Sequence, residues 1–218
     1  MNDDPGKCGR FLSPSEIEER SFSILEGLLG DFSPGTAERE VVKRIAHATT
    51  DVEWARGFLF SKGAAESGIE AILRGAPVVT DVEMVRAGIR RSALERMGGA
   101  VFCHLNDPDV IEAAKRENAT RARIAMRKAL SFLRGGIVAI GNAPTALFEV
   151  CHMVRSGKCL PSLVVGVPVG FVGAAESHDE LSSLPCPWIT CRGPRGGSPV
   201  AAAIVNALIA VAEKRRLP

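Results

Sequence analysis

The stretch 136-GIVAIGNAPTALFEV-150 reads as a strand, a tight turn and a helix in immediate succession. Gly136 to Ile140 forms a short apolar run. Gly141 lets the backbone turn, Asn142 suits a helix cap, and Pro144 suits an early helical position. Two further segments repeat the plan. In 164-VVGVPVGFVGAAES-177, Gly170 and Gly173 precede a helix, and in 192-RGPRGGSPVAAAI-204, Ser198 is placed as a cap with Pro199 in the first turn. Helix starts of this kind present unpaired N–H groups and the positive end of the helix dipole, so they receive anions well. They serve equally as plain tight connections, and the turns alone do not separate the two roles.

Outward from these turns, short apolar runs alternate with helical segments. Strands are expected at Val78 to Thr80, Ala100 to Leu105, Gly136 to Ile140, Ser162 to Val169 and Trp188 to Cys191. Helices are expected at about 81–90, 108–116, 119–134, 143–156, 174–183 and 198–214. The first eighty residues read mainly as helix: one opened by a Ser15/Glu18 capping box and closed by Gly30, one from Ser33-Pro34 or Thr36 to about Arg56, and one over Ala64 to Leu73. Strands alternating with helices indicate an α/β fold. The expectation is a three-layer arrangement with a mostly parallel central sheet and an additional N-terminal helical layer, with residues 1–218 as one domain.

Composition narrows the function. The formal net charge is +2, aromatic residues make up 5% and Tyr is absent, so neither a broad basic field nor stacking platforms favour nucleic acid. Neither GxGxxG nor GxxxxGK[ST] is present for a nucleotide, and no GxSxG elbow for a hydrolase. The six cysteines are scattered without CxxC spacing, and the four histidines are not grouped with them, which argues against a metal. The opening MNDDPGKCGRFLSP lacks a signal peptide's apolar run, and Val200 to Ala212 is too short to span a bilayer. A cytoplasmic protein with reduced, mostly buried thiols is expected, with neither membrane nor nucleic-acid partners.

Among titratable groups, His47 stands out. It lies roughly 120° from the centre of the Val41–Ile45–Ala48–Val52 stripe, so it is either solvated or turned toward a cleft. His104 ends a strand and reads as a core residue, His152 sits within a helix, and His178 in 176-ESHDE-180 reads as solvated. Arg20 lies among Glu18 and Glu19 and Arg121 near Glu117, so each is either an anion donor or half of a surface ion pair. Thr80-Asp81, at a strand end, is either a pocket lining or the cap of the helix that follows.

The segments 19-ERSF-22, 45-IAHAT-49, 75-GAPVVTDVEMV-85, 118-NATR-121, 137-IVAIGNAPTALF-148, 166-GVPVGFVGAAESHDEL-181 and 192-RGPRGGSPVAAA-203 together resemble the precorrin-8X methylmutases and their cobalt-precorrin-8 counterparts. The resemblance runs from residue 19 to about 210 and leaves the first eighteen residues as an extension. It implies a methyl migration from C11 to C12 of a corrinoid ring, giving hydrogenobyrinic acid or cobyrinic acid in cobalamin biosynthesis. It also implies a homodimer and no organic cofactor or metal. His47 matches the family's catalytic acid, and Ser21 a serine that contacts the substrate. Within the shared motifs, Arg20, Ser21, Thr80, Arg121, Asn142, Thr145, Gly170 and Gly173 are the expected substrate-binding positions. A polycarboxylated ring needs several separate anion sites, which three helix-start turns with Arg20 and Arg121 would supply. The alternative is a carrier that holds a tetrapyrrole without rearranging it, for which an ionisable His47 would have no use.

Overall fold

The computed structural model describes residues 12–32 and 35–216. The helices α1 (Pro14–Leu29), α2 (Thr36–Thr49) and α3 (Val52–Arg56) come first, followed by β1 (Leu59–Phe60), α4 (Ala64–Leu73), β2 (Val78–Thr80), α5 (Glu83–Gly88), α6 (Arg91–Arg96) and β3 (Val101–Phe102). The chain continues through α7 (Pro108–Arg116), α8 (Arg121–Lys128), α9 (Leu130–Leu133), β4 (Ile137–Ile140), α10 (Pro144–Arg155), β5 (Leu163–Gly166), α11 (Ala174–Ser182), β6 (Trp188–Thr190) and α12 (Ser198–Arg216). The sheet order is β1-β6-β5-β4-β2-β3. All neighbours pair in parallel except β1, which runs antiparallel to β6 at one edge through Leu59↔Thr190 and Phe60↔Ile189. The α/β expectation holds, with a sheet that is mixed but mostly parallel.

Strand β4 shows why the sheet needs helices on both sides. All four of its residues are buried, and they alternate between two cores. Ile137 and Ala139 face the core built with α2, α4 and α12, whereas Val138 and Ile140 face the core built with α8, α10 and α11. A parallel strand covered on both faces carries apolar side chains at every position. Helix α12 packs on β4 and β5 and is covered in turn by α2, α4 and α5. Its residues from Val200 to Ala212 are therefore apolar around most of the circumference because one chain buries them on all sides.

Several local expectations change. The capping box that opens α1 is Ser13 with Glu16, because Pro14 takes the first helical position and moves the start upstream. Gly30 does end that helix, its N–H bonding Glu26 O. The Ser33-Pro34 start lies outside the described residues, and α2 opens at Thr36. It stops at Thr49 rather than near Arg56, since Thr50 turns left-handed with φ 55° and Asp51 caps α3 by accepting the Trp54 N–H. The buried face of α2 is Ala37, Val41, Val42, Ile45 and Ala46, while Ala48 is exposed. Beyond Thr49 the helical period no longer applies, so Val52 and Ala55 do not extend that stripe. The expected helix over 119–134 divides into α8 and α9, and the edge strand β1, at two residues, is too short to leave a periodic signal.

Candidate functional site

The parallel strands deliver their C-terminal ends to one edge, where the three glycine-rich turns gather. The first of them is already occupied by the protein itself. Asp81, at the end of β2 and fully buried, accepts hydrogen bonds from the N–H groups of Gly141 (3.1 Å), Asn142 (2.8 Å) and Ala143 (2.7 Å). Burial pushes the Asp81 carboxyl above its ordinary value, with the three amide donors pulling the other way. Asp81 thus caps the turn before α10, and not its own following helix, whose cap position is Val82 with no side-chain bond. The amides expected to receive a ligand anion at this turn are spent on Asp81. Gly141 is required there for close approach, since a Cβ on it would meet Ser198 Cα at 2.7 Å.

The second and third turns lock together over the same edge. Gly170 N–H donates to Pro194 O (3.1 Å), and Gly197 N–H donates to Val167 O (2.8 Å). Gly173, with φ 80°, sits at the cap of α11, where a left-handed residue is needed. Between Gly170 and Gly173, Phe171 and Val172 project fully into solvent.

The other expected residues fall into two groups. Asn142 is exposed beside the first turn, and Thr145 Oγ1 lies 2.7 Å from Thr120 Oγ1, the hydroxyl that caps α8. Arg121 is exposed and donates to Asn106 Oδ1 (3.2 Å), while Glu117 pairs with Arg127 instead. Thr80 is fully buried, its hydroxyl donated to Phe102 O, so it lies beneath this surface and does not line an open pocket.

The second group is on the N-terminal helices. His47 is exposed near the end of α2, on the side away from the buried face, and stacks on Phe22 of α1 with centroids 5.1 Å apart and planes 20° from parallel. The Arg44 guanidinium lies 4.5 Å from the Phe22 ring centroid. His47 and Ser21 share a shallow pocket of about 340 Å³ whose walls include Ile24, Leu25 and Leu28. Ile24 and Leu28 are each 56% exposed, so the histidine stands beside open apolar surface. The Ser21 hydroxyl donates back to Ile17 O (2.8 Å), leaving its lone pairs to accept. Arg20 is exposed, has no ion-pair partner among the described residues, and does not line this pocket; Glu18 pairs with Arg44.

One contact links the two groups. Arg195, in the third turn, pairs with Asp51 at 2.7 Å and lies over the Trp54 ring at 4.3 Å, tying the end of α2 to the sheet edge. The Asp51 carboxyl is held below its ordinary value by the Trp54 N–H and then by Arg195. Neither residue stood out as functional in the sequence, because the pairing joins segments far apart in the chain. Phe22 lay inside the ERSF motif, but nothing local marked it as the support for His47. His178 is buried rather than solvated, and His104 is only half-buried, with Nδ1 2.9 Å from Asp107 Oδ2. The five described cysteines are free, and burial pushes Cys151 and Cys191 up to about 12 and Cys186 to about 11, so these thiols stay protonated.

Comparison with known proteins places this geometry in a family context. The family model for precorrin-8X methylmutase matches residues 16–211. The chain is 44% identical over 202 residues to the cobalt-precorrin-8 methylmutase of Priestia megaterium, covering 93% of this chain and 90% of that protein. It is 43% identical over 196 residues to a precorrin-8X methylmutase of a Sinorhizobium species, covering 88% and 92%. The crystal structure of a precorrin-8X methylmutase from Thermus thermophilus superposes with a TM-score of 0.84 at 37% identity, covering 92% of this chain and 99% of that one.

Proposed function

The chain belongs to the precorrin-8X methylmutase family, and from that membership we propose how its own residues perform the reaction. It is an isomerase of cobalamin biosynthesis that converts precorrin-8X, or the cobalt form, to hydrogenobyrinic acid or its cobalt counterpart. In our reading a methyl group leaves C11 of the ring for the adjacent C12, and His47 is the acid. The migration has no leaving group and no external nucleophile. A proton donated, or strongly shared, at the macrocycle makes its π-system electron-poor and lowers the barrier, and the same proton returns to the imidazole afterwards. The observation that supports this most is the placement of His47: exposed, braced on Phe22, and beside Ser21 and open apolar surface. A flat, largely apolar ring needs such surface, and the imidazole edge provides the donor.

Its carboxylates need separate donors. With the first turn sealed by Asp81, we assign them to the starts of α11 and α12, beside Gly173 and Ser198, with Gly170 shaping the turn that leads into α11, and to Arg20 and Arg121. Asn142 and Thr145 keep their side chains near that edge for the same ligand, and Thr80 supports the floor from below. The chemistry as read here uses no resident cofactor or metal.

We further propose a homodimer of a single-domain chain. The first core joins α1, α2 and α4 with the sheet and α12, which supports one domain. Helix α12 is covered within its own chain, so the surface that supports a second copy is the exposed Ile17, Ile24 and Leu28 of α1 together with Phe171 and Val172. No helix among the described residues is long and apolar enough to cross a membrane, and free buried thiols support our placing the protein in the cytoplasm.

The deciding experiment incubates the protein with precorrin-8X and with cobalt-precorrin-8 and follows the absorption change of the chromophore. Wild-type protein is expected to turn over at least one of them, and His47→Ala to bind product while turning over about 10²–10⁴ times more slowly. Near wild-type turnover by His47→Ala would remove His47 from the mechanism, and binding without turnover by the wild-type protein would make it a carrier.

A further inference from the structure

His178 is 1% exposed, on α11, and takes no part in the chemistry assigned to His47. Its ring lies between the two turns that stay open to ligand. Nδ1 is 3.0 Å from Gly193 O, and Nε2 is 3.1 Å from Pro168 O. Cys191 adds to the same junction, its thiol donating to Arg195 O at 3.1 Å and lying 3.9 Å from His178 Nδ1. The two turns are joined by the backbone bonds from Gly170 N–H to Pro194 O and from Gly197 N–H to Val167 O, and a Cβ on Gly196 would meet Val167 O at 2.2 Å.

Both neighbours of the ring are carbonyl oxygens, which only accept. A neutral imidazole carries one N–H, so a proton on Nδ1 holds the 192–197 segment and a proton on Nε2 holds the 167–173 segment. Burial favours that neutral form over the cation, and the two carbonyls oppose it.

We propose that His178 is a positioning residue for the methyl migration: buried behind the second and third glycine-rich turns, it holds one of them through its single N–H, and its ring, set between their carbonyls, fixes the spacing of the two helix starts that receive the substrate's carboxylates. This rests on the reading that those two turns bind the substrate. The ring never touches the reacting atoms. Its loss lets the turns separate, so the substrate binds more weakly while His47 keeps its place on α2.

The test compares His178→Gln with His178→Asn and His178→Phe, measuring kcat and KM with precorrin-8X, the Kd for hydrogenobyrinic acid, and Tm. The Gln amide nitrogen carries two N–H groups on a side chain long enough to reach between the carbonyls, whereas Asn offers the same amide one bond short, and Phe offers shape without a donor. His178→Gln is expected to stay close to wild type. His178→Asn and His178→Phe are expected to raise KM and product Kd by about tenfold, the effect of about one lost hydrogen bond, with kcat at saturation little changed. If His178→Phe fails to fold, the Gln and Asn pair decides alone. Folded Asn or Phe variants with wild-type KM and Kd would overturn the proposal, as would a loss confined to kcat or one that Gln does not relieve. Wild-type protein that binds no corrinoid at all would overturn the underlying reading instead, and that result is obtained before any variant is made.

Discussion

Asp51 and Arg195 lie 144 residues apart in sequence and 2.7 Å apart in the fold. Asp51 caps α3 directly after α2, and Arg195 belongs to the turn before α12, so this one pair connects the His47 helix to the sheet edge. The ring of Trp54 beneath the guanidinium holds Arg195 in place. A proton donor on one element and anion sites on another act on one ligand only when their separation is set.

Arg195→Ala is therefore expected to separate rate from stability. The pair is largely exposed, so its loss changes Tm little. Turnover falls by several-fold or more as α2 and the third turn lose their register, and steady-state kinetics beside a thermal melt measure both. A variant as active as wild type would reduce the pair to a surface contact.

Phe22→Leu tests the support of the imidazole. Leucine keeps apolar bulk but offers no flat face, so the stack with His47 is lost along with about 0.5–1.5 kcal/mol of ring–ring preference. The expected result is a rate lowered by roughly three- to tenfold, following the same energy, with product affinity less affected. Equal loss of rate and affinity would mean that Phe22 contacts the ligand directly.

Asp81→Ala leaves three amides at the first turn without their acceptor, in a buried setting. A destabilisation of about 2–5 kcal/mol is expected, since orphaned donors each cost about 1–3 kcal/mol and the loop relaxes in part. Asp81→Asn retains an acceptor oxygen and loses less. Urea denaturation of both variants orders them, and an Asp81→Ala protein as stable as wild type would show that water replaces the carboxylate freely.

Glu149 carries an acid-sensitive part of the stability. Its side chain is 4% exposed, with Arg123 Nε at 2.7 Å and Arg127 Nε at 2.8 Å. Burial alone would raise its carboxyl, but the guanidinium groups of Arg127 and Arg123 hold it below its ordinary value of 4.5. A carboxylate depressed in the folded state contributes stability that is complete above its unfolded value and is lost as the pH falls through the folded one. Wild type is thus expected to lose stability relative to Glu149→Gln on acidification below about pH 4.5, the ordinary value, and to exceed it near neutrality. Denaturant midpoints at pH 7 and pH 3.5 check the sign.

Sedimentation equilibrium at micromolar concentration is expected to return twice the chain mass of 23.1 kDa. A single-chain mass at that concentration would remove the dimer and leave Ile24, Leu28 and Phe171 to be covered by ligand alone.

The linear sequence by itself determined the alternation of apolar runs and helices, the glycine turns that separate them, and the motifs shared with the methylmutases. Those features are local: a strand buried on both faces is apolar at successive positions, as in Ile137–Ile140, and a turn–helix junction writes Gly, Asn and Pro at fixed offsets. It singled out His47 as well, since a polar residue off an apolar stripe is a local observation. The helix end at Thr49, about seven residues before the expected one near Arg56, was less legible, because Thr50 adopts a left-handed conformation that threonine seldom takes, and tertiary contact with Arg195 sustains the cap that follows. Only the tertiary structure decided which partners the polar groups took. Asp81 reaches amides sixty residues away, His178 disappears between two carbonyls, and Asp51 finds Arg195. Hydrogen bonds between distant segments depend on which backbone atoms the folded sheet edge brings within about 3 Å, and no periodicity along the chain encodes that distance.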